Sequence, residues 1–312
     1  MTAISPLLDR AAVQEVERAA SAHLGLQWTT DGFTDLRDRA SHPTGIFHGR
    51  PLSVFAKLSF ALDAHRLFTA ELDGLELLRV RAQVATPTPI GPGVVDLEVG
   101  SMLLLEAVPE RLPGARTPTD WRSIGHTLAA LHQVHAEQFG LELFDGFFGP
   151  LPQDNRPVAS GTWVDFYTER RVLPRLRSAV DSGHLPSDVA SEVERLVARM
   201  PALCGLEPCP SLLHGDAQLN NFLSGASGAV VIDVAPYFGH PELDLALIDQ
   251  FETVPTSLVE AYQEVLTIDP EFAERRELWR IFSYLAIVAV EGESPFGQRF
   301  LRHLIETLHR YR

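Results

Sequence analysis

Apolar positions change period along this chain. Residues 6–23 place Leu7, Leu8, Ala11, Val13 and Val16 among charged neighbours, the spacing of an amphipathic helix. Residues 28–50 are rich in Gly, Thr, Asp and Arg and suit short strands or loops. Leu52 to Phe60, LSVFAKLSF, is β-branched and aromatic and predicts a strand. Residues 64–81 return to a helical period, with Leu67, Leu72, Leu75 and Leu78 on one side. Thr86 to Gly93 predicts a turn-rich connection, followed by strands over 94–99 and 101–108 that meet at Gly100.

Residues 109–119 are polar and carry Pro109, Pro113, Gly114 and Pro118, which marks a predicted boundary between lobes 1–108 and 109–312. Beyond it the pattern is mostly helical. Helices are expected over 119–135, over 162–180 with a bend at Pro174, and over 187–200 with Ser187 as N-cap. Residues 140–160 read as a loop, and three helices follow residue 247. The apolar run 281–290 is too short to span a bilayer and reads as a buried helix. The expected class is α+β, a small lobe with sheet and helix ahead of a larger, mainly α-helical one.

Composition narrows the function. With 312 residues, 45% hydrophobic and a net charge of −15, the chain has material for two lobes but lacks the basic excess that general nucleic-acid binding needs. Acidity on this scale fits a neutral or cationic small-molecule partner, and equally a surface charge that only maintains solubility. Two cysteines, Cys204 and Cys209, are too few for a disulfide framework or a zinc pattern, and predict reduced thiols in a cytosolic protein. The opening residues lack the basic region and apolar block of a signal peptide. Of 26 basic side chains, 25 are Arg and one is Lys, Lys57. A compact ammonium is not interchangeable with a guanidinium.

The chemistry concentrates in residues 212–247, LLHGDAQLNNFLSGASGAVVIDVAPYFGHPELDLAL. Asp216 of His214-Gly-Asp216 is a residue type that accepts the proton of an attacking hydroxyl. Asn221, five positions on, and Asp233, at the end of an apolar strand, can hold Mg²⁺ between them. The Ser224–Gly228 turn would fold Asp233 back beside Asn221. Lys57 lies mid-strand, where a charge needs a partner, and Glu71, 14 residues on, is the favoured one over Glu76. A strand lysine held by a helix glutamate and aimed at ATP phosphates is the kinase arrangement. Glu106, Ala107 and Val108, where an apolar strand enters the lobe link, are positioned to meet adenine. Asp244 is expected to anchor the catalytic loop, and His126, His132 and His135 to be structural.

These segments resemble the fructosamine kinase (ketosamine-3-kinase) family, within the aminoglycoside-phosphotransferase-like branch of the protein-kinase-like fold. The likeness rests on Val54-Phe-Ala-Lys57, Phe68-Thr-Ala-Glu71, Trp163-Val-Asp-Phe-Tyr167 with Arg170-Arg171, Leu212-Leu-His-Gly-Asp216 with Asn221, and Tyr237 to Ala246. It implies two lobes, ATP, Mg²⁺ and transfer of the γ-phosphoryl to a hydroxyl of a ketosamine. In that reading Asp216 is the base, Asn221 and Asp233 hold metal, and Lys57 with Glu71 steadies phosphates. The chain departs from the pattern at three places. The family's HGD-Leu-Trp-x-Gly-Asn is here His-Gly-Asp-Ala217-Gln218-Leu219-Asn220-Asn221. Its Asp-Pro-Ala is Asp233-Val-Ala235, and its Gly-rich phosphate loop, expected over Asp38–Gly45, keeps only Gly45. Two other readings stay open: a kinase of an aminoglycoside or other amino sugar or amino alcohol, and a nucleotide-binding protein without turnover.

Overall fold

A computed structural model describes residues 5–37 and 42–312. Asp38 to Ser41 of the expected phosphate loop lie outside the described residues. Helix α1 (Arg10–Leu24) starts where the Asp9 carboxylate accepts from the Ala11 N–H at 3.0 Å. Strands β1 (Gly32–Asp35), β2 (Thr44–His48) and β3 (Val54–Ser59) lead to helix α2 (Ala64–Arg81), then to β4 (Pro89–Asp96) and β5 (Ser101–Glu106). The five strands form one antiparallel sheet in the order β1-β2-β3-β5-β4. The expected turn at 86–93 is partly strand. Pro89 already pairs with Leu105, and the register then shifts before Val94. β4 lies at the sheet edge, where a proline's missing N–H costs no ladder bond.

Side chains alternate across the sheet. Val54, Ala56 and Leu58 of β3, with Met102 and Leu104 of β5, pack against Val16, Ala19 and Ala20 of α1 and against Trp28. The opposite face carries Leu103 and Leu105, which join Leu67, Phe68, Leu75 and Leu78 of α2 in a core that runs on through the rest of the chain. Period two puts Lys57 on this second face, over α2.

The remaining chain is mostly helical. α3 (Pro118–His132) opens with a reciprocal Thr117–Asp120 cap. The segment expected to be an irregular loop contains a short hairpin, β6 (Gly146–Phe148) and β7 (Leu151–Gln153). The interruption or bend expected at Pro174 is an interruption that ends just before it. α4 (Trp163–Tyr167) widens over Thr168–Val172 before α5 (Leu173–Asp181). Proline cannot donate to the Arg170 carbonyl, which accepts instead from Arg171 Nη1 at 3.0 Å. In α6 (Ser187–Val197) Ser187 is the first helical residue and Pro186 precedes it as cap, so the expected serine cap is not made. Proline's preset φ suits the approach to a helix, and displaces the cap by one position.

After α7 (Met200–Leu203), β8 (Ser211–Leu212) enters the motif stretch. The hairpin β9 (Phe222–Gly225) and β10 (Gly228–Val231) follows, and β11 (Phe238–Gly239) returns to pair with β8. Helices α8 (Pro241–Leu247), α9 (Thr256–Gln263), α10 (Phe272–Glu291) and α11 (Pro295–Arg310) complete the chain. The apolar run 281–290 lies in α10, with Ile281, Phe282 and Leu285 fully buried. No described helix is long and apolar enough to cross a membrane.

Candidate active site

Three distant segments meet at Lys57. Its ammonium lies 3.0 Å from Glu71 Oε2 on α2 and 2.5 Å from Asp233 Oδ1 just after β10. Glu76, the rival partner, is exposed and pairs with Arg79 on its own helix at 2.6 Å. Burial alone would push the Lys57 ammonium down, but the carboxylates of Asp233 and Glu71 outweigh it and hold it above its ordinary value. Burial pushes Glu71 up against the pull of Lys57. Burial also works to raise Asp233, yet Lys57 prevails and holds it below the usual carboxylate range. One cation thus serves two carboxylates, of which Asp233 is the more solvent-open.

Asp216 reaches the same cleft from a loop tied down at both ends. Asp244 of α8 accepts from the backbone N–H of His214 at 2.7 Å and of Gly215 at 3.1 Å. Its Oδ2 also lies 3.2 Å from His132 Nε2, whose ring contacts the Tyr262 hydroxyl at 2.9 Å on the other side. Asp244 is therefore the anchor expected of it, and His132 is a buried structural link. Gly215 is required by space and conformation. Its φ is +80°, and a Cβ there would lie 1.9 Å from the Ala235 carbonyl oxygen. Burial pushes the Asp216 carboxyl up to about 7, opposed by a hydrogen bond from Gln218 and helped by the nearby Asp233 and Asp244.

The β9–β10 hairpin returns Asp233 to Asn221. Val231 pairs with Phe222, and the Ile232 N–H donates to the Asn221 carbonyl at 3.0 Å. Asn221 Nδ2 donates to the Asp216 carbonyl at 2.8 Å. With the amide nitrogen committed to backbone, Oδ1 is the end left to act as a ligand. Asp233 has a φ of +50°, uncommon for a side-chain-bearing residue and frequent at functional turns. Asn221 Oδ1 and the Asp233 carboxylate are hard oxygen donors, the set that suits Mg²⁺.

Lys57, Glu71, Asp216, Asn221 and Asp233 line one cleft of about 590 Å³. Glu106, Ala107 and Val108 line a different, smaller cleft of about 410 Å³, with Gly49 and Leu52. The Glu106 N–H is engaged by the Thr88 carbonyl at 2.7 Å and the Ala107 N–H by the Ser53 carbonyl at 2.9 Å. The Val108 N–H is the one backbone donor of the three without a partner among the described residues. Sequence reasoning missed the far wall of the large cleft. Phe147 of the β6–β7 hairpin, Ser283 and Ile287 of α10, and Phe296 of α11 line it. They belong to ordinary apolar patterns and carry no local signal.

The fructosamine kinase family model matches residues 12–310. The chain belongs to the fructosamine kinase family. YniA of Escherichia coli K12, assigned as a ketoamine kinase, is 32% identical over 87% of this chain and 91% of its own. A solved structure from Thermobifida fusca, assigned as a fructosamine-3-kinase, superposes with a TM-score of 0.78 at 31% identity, over 96% of this chain and 99% of that one. Aminoglycoside phosphotransferase APH(4)-Ia, solved with AMP-PNP and hygromycin B, gives a TM-score of 0.63 at 16% identity over 95% and 98%, a likeness of fold alone. As a fructosamine kinase family member the chain is a small-molecule phosphotransferase with the two-lobed, α+β kinase-like fold.

Proposed function

We propose that this protein phosphorylates a sugar hydroxyl of a ketosamine at the expense of ATP. The observation that carries the reading is the meeting of Lys57, Glu71 and Asp233, from β3, α2 and the β10 end, at 2.5–3.0 Å beside Asp216. Family membership supplies the reaction class. The names of its relatives point to ketosamines and, through the complex of APH(4)-Ia, to an adenine nucleotide.

In this reading Lys57, oriented by Glu71, contacts the ATP phosphates, and Glu106 to Val108 take the adenine with their carbonyls and the Val108 N–H. Asn221 Oδ1 and Asp233 would hold Mg²⁺, which when bound neutralises phosphate charge. Asp216 holds the acceptor hydroxyl and takes its proton. The acceptor O–P bond forms as the bond from the γ-phosphorus to the β-bridging oxygen breaks, and ADP leaves with that electron pair. The lobes divide at residues 108 and 109. Two unpaired cysteines, one buried and one exposed, suit the reducing cytosol.

The test is incubation with Mg-ATP and a panel of fructosamines, ribulosamines and aminoglycosides, with mass spectrometry for the phosphorylated product. A ketosamine phosphate is expected. Product from aminoglycosides alone would reassign the acceptor, and ATP binding without product would make the protein a non-catalytic relative. Asp216→Asn should lower kcat by about 10²–10⁴-fold while leaving ATP affinity near that of the parent. An unchanged kcat would remove Asp216 from the base role.

A further inference from the structure

Asp216 shares its corner of the cleft with Gln218. Gln218 Nε2 donates to Asp216 Oδ1 at 2.7 Å. The backbone holds the side chain in place: the Gln218 N–H donates to the Asp216 carbonyl at 2.8 Å, and the Gln218 carbonyl accepts from the Asn221 N–H at 2.9 Å. An ionised carboxylate only accepts, while a carboxamide has a donor end and an acceptor end. With its NH₂ turned to Asp216, Gln218 must turn Oε1 elsewhere. The residue is half-buried and lines the large cleft beside Asp216 and Asn221, and Oε1 has no partner among the described residues. Two acceptor atoms on this part of the cleft lining are therefore left without a partner among the described residues: Asp216 Oδ2 and Gln218 Oε1.

We propose that these two atoms form a subsite for a vicinal diol of the acceptor sugar, Asp216 taking the hydroxyl to be phosphorylated and Gln218 its neighbour. This rests on Asp216 being the base of the kinase reading. Gln218 also positions the base, because one carboxylate oxygen is committed to its NH₂ and the other is left for the reacting hydroxyl. The family pattern has tryptophan at this position. An indole can stack on a sugar and donate one hydrogen bond, but it offers no lone pair to a hydroxyl. The substitution thus exchanges recognition of a sugar face for recognition of a specific hydroxyl.

The test compares a fructosamine with its analogue deoxygenated at the carbon next to the phosphorylated hydroxyl, using wild type, Gln218→Met and Gln218→Glu. Wild type should lose about 10- to 100-fold in kcat/KM on the deoxy acceptor, the effect of leaving a polar group unpaired. Gln218→Met keeps the length of the side chain without donor or acceptor. It should lose a similar factor on the full acceptor, discriminate little between the two, and keep the wild-type KM for ATP. Gln218→Glu keeps the acceptor but not the donor. It should retain discrimination while kcat falls, and it decides the matter if the Met variant does not fold. Equal losses on both acceptors in Gln218→Met, or wild-type kinetics in both variants, would overturn the subsite. A wild-type enzyme that phosphorylates neither ketosamine would instead overturn the kinase reading, and this inference with it.

Discussion

At the scale of single residues, Lys57 decides whether the site holds together. It is buried, and so is Glu71, so each ion depends on the other for compensation. Lys57→Met leaves Glu71 and Asp233 without their shared cation. The expected cost is about 3 kcal/mol, at the low end for a broken buried pair because Asp233 is partly open to water. Urea unfolding measures it, and a loss under about 1 kcal/mol would mean that solvent already compensates these carboxylates. The prominence of Lys57 was legible in the sequence, since it is the single lysine and sits among apolar neighbours. Its partnership with Asp233 was not. The two are 176 positions apart, and only tertiary packing brings them together: Gly74 of α2 lies against Val234 and Pro236, and the Val231 N–H donates to the Ala85 carbonyl just beyond α2.

At the scale of elements, α8 and α3 set the frame of the catalytic loop. His240 caps α8 by accepting the Glu242 N–H on Nδ1 at 3.2 Å, which an imidazolium could not do. Burial pushes the ring down to about 4 from an ordinary 6.5. The unfolded chain therefore binds this proton first as pH falls. Stability from His240 is complete above pH 6.5 and is lost between about 6.5 and 4, by up to about 3 kcal/mol. His240→Asn keeps a capping oxygen and removes the titration, so its stability should vary less across that window. Parallel acid slopes for the two proteins would show that other groups govern the loss.

The contact between α3 and α9 depends on Gly125, where an added Cβ would lie 2.2 Å from the Leu258 carbonyl oxygen. Gly125→Ala should force the helices apart and lower stability by about 1–3 kcal/mol in thermal unfolding. A midpoint equal to the parent's would show that the pair can slide at no cost. Neither constraint was readable beforehand. Gly125 sits in a helical pattern like any tolerated glycine, and His240 looked like one more residue of a family motif.

At the scale of the whole molecule, the large cleft is built from parts far apart in the chain: β3 and α2 on one side, the catalytic loop in the middle, and α10 and α11 on the other. A ligand that bridges them binds the folded state alone. Saturating Mg-ATP, at about 100 times its Kd, should stabilise the fold by about 2.7 kcal/mol and raise Tm, while Mg²⁺ alone should do much less. Asp233→Ala should abolish most of that shift. A shift retained in full would mean that the nucleotide binds without help from Asp233 or a metal held there.

The sequence by itself determined most of the elements and singled out the residue types that meet in the large cleft. Hydrophobic period located the strands and helices, and residue types at short spacing located Asp216, Asn221 and Asp233, because these signals are local. It also favoured Glu71, on the helix that follows the Lys57 strand, over Glu76. Tertiary structure alone decided what those residues touch. It placed Asp233 on Lys57, turned Gln218 onto Asp216, and walled the far side of the large cleft with Phe147, Ile287 and Phe296. It also set Glu106 to Val108 on a cleft of their own. Such contacts arise from how separate elements pack, and the energy that fixes them is shared over the whole core rather than written at any one position.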